Sequence, residues 1–257
     1  MKKLVVFCIA ASLTACHTED KKTETAKNTE LIQQNLKGNV QQLDERTVNM
    51  DSTGKMKPDS SSNIMEFDKM GYQTKSSGKD SSGKMTSDQT VSHNSDGTFK
   101  EMITTKNGKQ IFKLTTDVKD GKYTGAKSYD STGKQDSYYT DLKSNEYGIV
   151  YAGKQHFMND KIKSTFEMKY DGPNFLGGSA TDSTGKTTYT GSIKVDDKGN
   201  AVEETSTTLE KGATKTEVVT YKYDSFDKTG NWTQRTTYND KGKPTKIVKR
   251  SLVYFGD

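Results

Sequence analysis

The stretch Tyr221–Tyr254 constrains the fold more than any other part of the chain, because it reads as three strands joined by two tight turns. The turns are four-residue segments that begin at Asp227 and Asn239 and end at Gly230 and Gly242. An Asp or Asn side chain at the first position accepts hydrogen bonds from backbone amides two residues on. Glycine at the fourth position takes a positive φ without a Cβ clash. The pattern predicts successive β-hairpins.

The same turn glycine recurs along most of the chain. Most of these glycines are about 11–15 residues apart, which is close to the rhythm of strands in all-β folds. They are Gly97, Gly108, Gly121, Gly133, Gly148, Gly172, Gly185, Gly199, Gly212, Gly230 and Gly242. Because short turns make consecutive strands antiparallel, the rhythm predicts an all-β fold. Its sheet is a long antiparallel meander of repeated hairpins that is extended, spiral or closed on itself.

Two segments interrupt this rhythm. Residues 171–180 contain Gly172, Pro173 and two further glycines, and are interpreted either as a sheet corner or as a seam between sub-domains. Segment Ser76–Lys84 is nearly pure turn composition, so the strands near it are predicted to be short, exposed or frayed.

Composition limits both the core and the partners. Only 29% of the residues are hydrophobic, so a thin core is predicted. The 39 basic residues nearly balance the 34 acidic ones, and the net charge of +5 is too mild to favour nucleic acid. No nucleic-acid partner is therefore expected.

The N-terminus has the pattern of a processing signal. Lys2 and Lys3 precede the apolar run Leu4–Leu13, which is too short to span a bilayer as a helix. The four residues LTAC that end at Cys16 resemble the lipobox of bacterial lipoproteins. The resemblance implies that residues 1–15 are a removed signal peptide and that acyl chains on Cys16 anchor the protein to a membrane. An ordinary secretory signal with an incidental cysteine is the alternative.

This interpretation divides the chain and gives it a location. Residues 16–35 are predicted to be a disordered polar tether. Near its end, the partial helical spacing of apolar residues allows a short helix over Thr29–Leu36. Residues 36–257 form the predicted β-repeat domain. The protein is expected at the outer membrane, lipid-anchored, on the periplasmic face or the cell surface. Glu19 and Asp20 resemble the acidic surface-export signal of some lipoproteins of the Bacteroidota.

The cysteine count excludes several kinds of site. Cys8 lies in the segment that would be removed, and Cys16 would be acylated. The mature chain therefore offers no thiol for a disulfide, a zinc site or a nucleophile.

The C-terminal hairpins resemble the last units of YD-repeat (RHS-like) lipoproteins of the Bacteroidota. The matching residues are Tyr223-Asp224, Gly230-Asn231-Trp232-Thr233, Arg235, Tyr238 and Gly242-Lys243-Pro244. The segments Leu36–Val40 and Phe67–Gly71 resemble opening units of that group. The resemblance implies a sheet built from β-hairpin repeats and supplies no catalytic residue.

The sequence gives little support to catalysis. His17, His93 and His156 belong to no metal-binding pattern, and no catalytic or nucleotide-binding motif is found. No metal, cofactor or catalytic residue is predicted, and the chain is not expected to be an enzyme. A hydrolase whose carboxylates converge from distant strands is the main alternative. An outer-membrane barrel is disfavoured because the strands are rich in lysine and threonine.

Aromatic residues give the candidate binding surface. Trp232, Tyr221, Tyr223 and Tyr238 lie on strands that the hairpins bring together. Cross-strand packing is one account of them. A face for stacking a glycan or a peptide is the other. The sequence thus favours a lipid-anchored envelope protein with a non-catalytic binding or structural role, whose partner is an envelope or host glycan or a protein.

Overall fold

The computed structural model describes residues 29–51, 53–210 and 212–256, so the predicted signal peptide, Cys16 and most of the predicted tether lie outside them. The described chain forms one short helix and sixteen strands. The helix α1 is Glu30–Gln33, and the strands are β1 (Val40–Met50), β2 (Met56–Phe67), β3 (Gln73–Lys79), β4 (Met85–His93), β5 (Phe99–Lys106), β6 (Lys109–Lys119), β7 (Lys122–Tyr129), β8 (Gln135–Ser144), β9 (Val150–Phe157), β10 (Ile162–Asp171), β11 (Asn174–Asp182), β12 (Thr187–Val195), β13 (Ala201–Glu210), β14 (Ala213–Phe226), β15 (Trp232–Asn239) and β16 (Pro244–Tyr254). Within the described ranges, helical structure nowhere reaches the length and apolar character that crossing a membrane requires.

The strands form a single antiparallel meander that closes into a barrel. Each strand pairs with its neighbours in sequence, and β1 pairs with β16 to complete the ring. In this closing pair, Glu45 lies opposite Arg250 and Thr47 lies opposite Val248. The predicted all-β meander is confirmed, and of the three sheet shapes considered the closed one is found.

Hydrogen bonds at the turns explain why the chain folds back so regularly. Asp227 Oδ1 accepts bonds from the amides of Thr229 and Asn231, each over 2.9 Å. Gly230 has a φ of +88° and donates its amide to the carbonyl of Asp227. The same side-chain pattern recurs at Asp51, Asp68, Asp80, Asp130, Asn145, Asp182, Asp196 and Asn239. The predicted turn chemistry is confirmed.

The turns divide between the two ends of the barrel, because successive strands run in opposite directions. Turns that follow even-numbered strands lie at one end, with the start of β1 and the end of β16. We call this the strap end, because residues 29–39, the strap, lie across it. Turns that follow odd-numbered strands lie at the other end, the mouth end.

The strap connects opposite sides of the barrel. Oε1 of Glu30 lies 3.0 Å from Nε2 of His93, at the end of β4. Nδ2 of Asn35 donates to Oδ1 of Asn200, just beyond β12, over 2.9 Å. Since β4 and β12 are eight strands apart in the ring of sixteen, the strap spans the strap end.

The strap is well packed at its beginning. Thr29, Glu30 and Leu31 are 1%, 6% and 8% exposed, and the amide of Leu31 donates to the carbonyl of Gly71 over 3.2 Å. Among the described residues, packing therefore extends back to Thr29, into the segment that composition assigned to the tether. The sequence hid this because the strap packs through only two leucines, Leu31 and Leu36, together with several polar groups.

The sheet is continuous through segment 171–180. Strands β10 and β11 are paired from Asp171 opposite Asn174 to Ser164 opposite Asp182, with a shift of register between Lys169 and Tyr170. In place of the considered corner or seam, the structure has an irregular hairpin within one sheet.

Adjacent residues of a strand face opposite sides of the sheet, as Glu203 and Glu204 illustrate. Glu203 faces outward, where its carboxylate lies 2.8 Å from Nζ of Lys194. Glu204 faces the interior and lines its cavity. Lysine–carboxylate pairs recur on the outer face, for example Lys154 with Asp141 at 2.7 Å. Paired charged side chains are therefore a recurring feature of the outer face.

Apolar side chains fill one half of the interior. The cluster consists of Phe99, Met102, Leu114, Tyr123, Ala126, Tyr139, Val150, Phe166 and Met168, on strands β5 to β10. A smaller cluster joins the strap to β1 and β2 through Leu31, Leu36, Val40, Leu43, Met65 and Phe67. The remaining part of the interior is organised differently.

Candidate functional site

A cavity of about 360 Å³ lies in the interior on the side opposite the larger apolar cluster. Inward-facing side chains of β1 and of β13 to β16 form its walls. They are Glu45, Thr47, Glu204, Ser206, Glu217, Val219, Tyr221, Arg235, Thr237, Lys246 and Val248. The volume is within the range of small-molecule sites, and the lining carries both signs of charge.

Two guanidinium groups and two aromatic rings pack together beside this cavity. The guanidinium carbon of Arg250 lies 3.5 Å from the ring centroid of Trp232, and that of Arg235 lies 4.9 Å from it. Arg235 also lies over the ring of Tyr221 at 4.3 Å. We call these four residues the arginine stack. Cation–π contacts of this kind are worth about 0.5–2 kcal/mol each, with the larger values at desolvated positions.

A double irregularity in the β14–β15 pairing brings Trp232 into the stack. Tyr223 lies opposite Arg235, Ser225 opposite Gln234 and Phe226 opposite Trp232, so each strand carries an extra residue. In a regular strand, Trp232 would face the same side of the sheet as Gln234, two residues along. The extra residue on β15 turns the Trp232 side chain to the opposite, inner side, where Arg235 lies. The rings of Trp232 and Tyr223 are then 5.7 Å apart.

Arg250 is held by a buried ion pair. Its side chain is 6% exposed, and its Nε donates to Oε1 of Glu45 over 2.8 Å. Burial lowers the pKa of the Arg250 guanidinium, while the facing carboxylate of Glu45 acts in the opposite sense. The pair crosses the seam between β1 and β16, so it joins the arginine stack to barrel closure.

Tyr221 links the stack to a carboxylate on the neighbouring strand. Its hydroxyl donates to Oε2 of Glu204 over 2.7 Å. Burial, and then this hydrogen bond, raise the pKa of the Tyr221 hydroxyl. The phenol therefore stays protonated and holds Glu204 as its acceptor.

The exposure of the side chains in and beside the cavity increases toward the mouth end. Trp232, near the strap end, is 4% exposed. Nearer the mouth end, the side chains of Lys215 and Glu217 are 61% and 59% exposed and form an ion pair at 2.5 Å. Lys246 is exposed on the facing strand β16. The cavity is thus a cup whose floor lies toward the strap and whose rim is charged.

Three of the four predicted aromatic residues are brought together. Tyr221 lines the cavity, Trp232 lies in the stack, and Tyr223 packs against Trp232 while its hydroxyl donates to the carbonyl of Ala201. Tyr238, opposite Thr220, lies on the outer face of the sheet. Because Trp232 is almost fully buried, its ring offers little surface for stacking a ligand.

Sequence reasoning missed the charged members of this site. Arg235 was noted only within the repeat motif, and Arg250, Glu45 and Glu217 were not singled out. Composition carried a usable signal, because the chain has only three arginines among its many lysines. Two of these three arginines pack on the same tryptophan.

The histidines have structural partners. His93 lies 3.0 Å from Glu30 in the strap, and Nε2 of His156 lies 2.9 Å from the hydroxyl of Thr140. His17 lies outside the described residues. Across residues 29–51, 53–210 and 212–256, no group of three or more His, Cys, Asp or Glu side chains is placed to hold a metal ion.

Comparisons with known proteins give a fold likeness. No family model and no curated protein matches the chain. Among solved structures, a porin-like protein from Bacteroides uniformis superposes with a TM-score of 0.55 at 13% identity, covering 83% of this chain and 96% of that one. A porin-like protein from Bacteroides vulgatus has a TM-score of 0.39 at 12% identity, covering 85% of this chain and 100% of that one. At these identities, the first likeness shows the barrel fold alone.

Proposed function

We propose that this chain is a lipid-anchored protein of the cell envelope that binds a small polar molecule, a glycan or a peptide, inside its barrel without transforming it. The observation that carries the proposal is the cup-shaped cavity of about 360 Å³ whose floor adjoins the arginine stack. Side chains that are buried, charged and held by specific partners are typical of a preorganised binding site.

The outer face supports a barrel held in water rather than one inserted in lipid. A membrane-spanning barrel needs an apolar outer band. Here the outward-facing positions carry ion pairs such as Lys194 with Glu203 and Lys154 with Asp141. A lipid on Cys16 would give such a barrel its membrane attachment. The resemblance to YD-repeat lipoproteins supports the same assignment.

The position of the strap supports one orientation of the proposed anchored protein. The described fold begins at Thr29, at the strap end, while the cavity lining is most exposed toward the mouth end. With the lipid on Cys16, the chain approaches the barrel from the strap end. The mouth then faces away from the membrane, where a ligand can reach it.

A hydrolase is the second candidate, because Glu45, Glu204 and Glu217 reach one cavity from three strands. Each of these carboxylates already has a partner, namely Arg250, the Tyr221 hydroxyl or Lys215. A general acid also needs a raised pKa. The hydrogen bond from Lys215 instead lowers the pKa of the Glu217 carboxyl. These observations favour binding over catalysis.

The binding proposal is tested with the protein's own fluorophore. Trp232 is the only tryptophan in the chain and lies beside the cavity floor. Neutral and acidic mono- and disaccharides and short peptides are titrated while its emission and the melting temperature are recorded. We expect at least one class to shift both in a saturable way, and Ser206→Phe, which fills the cavity, to abolish the shift. No saturable response from any class would contradict the proposal.

The anchor is tested by fractionation. Cys16→Ala is expected to move the protein from the membrane fraction to the soluble periplasmic fraction, because the acyl chains supply the membrane affinity. Unchanged fractionation would contradict the lipid anchor. It would not affect the binding proposal, which the ligand titration tests separately.

A further inference from the structure

Two buried N–H groups of the arginine stack lack an acceptor among the described residues. They are Nη1 of Arg250 and Nε of Arg235. Stacking occupies the flat faces of a guanidinium group, whereas its N–H donors radiate in the plane. The aromatic contacts therefore do not replace a hydrogen-bond acceptor. A buried charged donor without an acceptor is costly, and of the two arginines it is Arg235 that lines the cavity and can meet a bound acceptor there.

The charges around the cavity are unequally matched. Each of its three carboxylates has a partner, as described above. By contrast, no carboxylate oxygen of the described residues lies within 4.0 Å of a side-chain nitrogen of Arg235 or Lys246. Glu204 has only the neutral Tyr221 hydroxyl as its partner, so two cations and one carboxylate of the cavity wall lie outside ion pairs, an excess of positive charge.

We infer that the cavity takes a ligand with one carboxylate group, which the guanidinium of Arg235 holds at the floor while its polar remainder extends toward Ser206, Thr237 and the rim. This inference rests on the proposed binding function and names the ligand chemistry. A sugar acid and the C-terminal carboxylate of a short peptide share that chemistry.

The other ligand classes fit less well. A neutral sugar leaves the Arg235 guanidinium without a charged acceptor, and charge-assisted hydrogen bonds are about twice as strong as neutral ones. A phosphate or sulfate ion matches the arginines. However, a doubly charged anion would also face the carboxylates of Glu45 and Glu204 in the same cavity. A single carboxylate satisfies the donors with the least repulsion.

The test compares four probes on the intact protein by calorimetry and Trp232 fluorescence. The probes are D-glucuronate, N-acetyl-glycylglycine, D-glucose and inorganic phosphate. We expect one or both carboxylates to bind at least about tenfold more tightly than glucose and phosphate, which corresponds to one step of 1.4 kcal/mol. The more tightly bound carboxylate distinguishes a sugar acid from a peptide end.

Three variants locate the carboxylate. Arg235→Gln is expected to weaken carboxylate binding about tenfold or more and to leave glucose binding unchanged. Lys246→Gln, at the exposed rim, is expected to weaken it about two- to fivefold and to reduce its salt dependence. Arg46→Gln is the matched control, because Arg46 is exposed on the outer face of β1 next to Glu45. Its affinity should equal that of the wild type.

The outcomes separate this inference from the binding proposal. Glucose or phosphate binding as tightly as the carboxylates, or Lys246→Gln leaving affinity and salt dependence unchanged, would overturn the inference alone. If Arg235→Gln does not fold, Lys246→Gln supplies the decisive variant. Failure of every probe in the wider titration would overturn the binding proposal as well.

Discussion

The two halves of the barrel interior are built on the same hairpin frame and filled in opposite ways. On β5 to β10, inward positions carry side chains such as Phe99, Leu114 and Val150, which are 0% exposed. On β13 to β16 and β1, inward positions carry Glu204, Arg235 and other polar groups around a cavity. The turn chemistry fixes the frame, while the inward-facing side chains decide whether a region is core or site.

This difference explains how a chain with few hydrophobic residues can form a barrel of sixteen strands. A sixteen-stranded barrel is wide enough to enclose a channel. Here one half is filled by the apolar cluster, the strap covers one end, and the arginine stack ties together the polar half. Only 29% hydrophobic residues suffice because only part of the interior is a core.

The largest expected effect comes from the packed half. Leu114→Ala removes a fully buried side chain and should lower the free energy of unfolding by about 2–5 kcal/mol. Val219→Ala, in the cavity wall, is the matched change and should cost about 1 kcal/mol or less, because no new void opens within a packed core. Urea unfolding measures both. Equal costs would show that the two halves are not packed differently.

A smaller effect is expected in the polar half. Arg250→Met removes the partner of Glu45 and one contact of Trp232, and should cost about 1–3 kcal/mol, less than for a fully buried pair because the Glu45 side chain is 23% exposed. The double variant with Glu45→Gln should recover part of this loss in chemical denaturation. A single variant as stable as the wild type would mean that the pair does not support barrel closure.

Substitution of a turn glycine should destabilise the protein to a similar extent in both halves of the barrel. Gly230→Val and Gly133→Val each place a β-branched residue at positive φ, +88° and +81°. The added Cβ meets nothing within 4 Å at Gly133 and only the Lys37 side chain, at an ordinary contact distance of 3.6 Å, at Gly230. Each should lower the free energy of unfolding by about 1–3 kcal/mol, because the cost is backbone strain. Thermal melting is the measurement. A variant with the melting temperature of the wild type would show that its turn does not require a glycine at positive φ.

The smallest effect is pH dependence at one turn of the polar half. Burial by itself raises the pKa of the Asp227 carboxyl. Hydrogen bonds from the Tyr254 hydroxyl and from backbone amides outweigh burial, so the net effect is a lowered pKa. A carboxyl whose folded pKa is depressed adds stability above its unfolded pKa of about 3.9. That stability is lost as the pH falls through the folded value.

Asp227→Asn should therefore reduce the steepness with which stability falls below about pH 4. The turn of the packed half offers Asp130→Asn as the comparison, since hydrogen bonds from Thr132 and Lys134 also lower the pKa of that exposed carboxyl. Its effect should have the same sign and be smaller, because solvent screens it. Denaturation at several pH values measures both. An Asp227→Asn variant that is more acid-sensitive would contradict the sign.

Much of the frame could be predicted from local chemistry, because each turn depends on residues within four positions. The turns at Asp227 and Asn239 are cases in point. Composition was a coarser guide: strands near Ser76–Lys84 were expected to be short, exposed or frayed, and β3 (Gln73–Lys79) is indeed short, with seven residues, but is paired on both edges. Neighbouring strands supply the hydrogen bonds that its own sequence does not foretell.

The site was harder to predict, for two physical reasons. Trp232 changes face through extra residues on β14 and β15, and a periodic reading cannot detect them. Glu45 and Arg250 meet only because the first and last strands pair, which depends on closure of the whole ring. Long-range closure and local irregularity together create the arginine stack.

Thiol accessibility tests the contrast between the filled and open halves in one experiment. In a chain whose Cys8 and Cys16 are replaced by serine, a single cysteine is placed at Ser206 in the cavity or at Ala126, which is 2% exposed in the apolar cluster. The rate of modification by a small reagent is measured under native conditions. We expect Ser206→Cys to react nearly as fast as an exposed control, Ser82→Cys, and Ala126→Cys to react only through unfolding. Equal rates at Ser206→Cys and Ala126→Cys would contradict a barrel that is half core and half binding cavity.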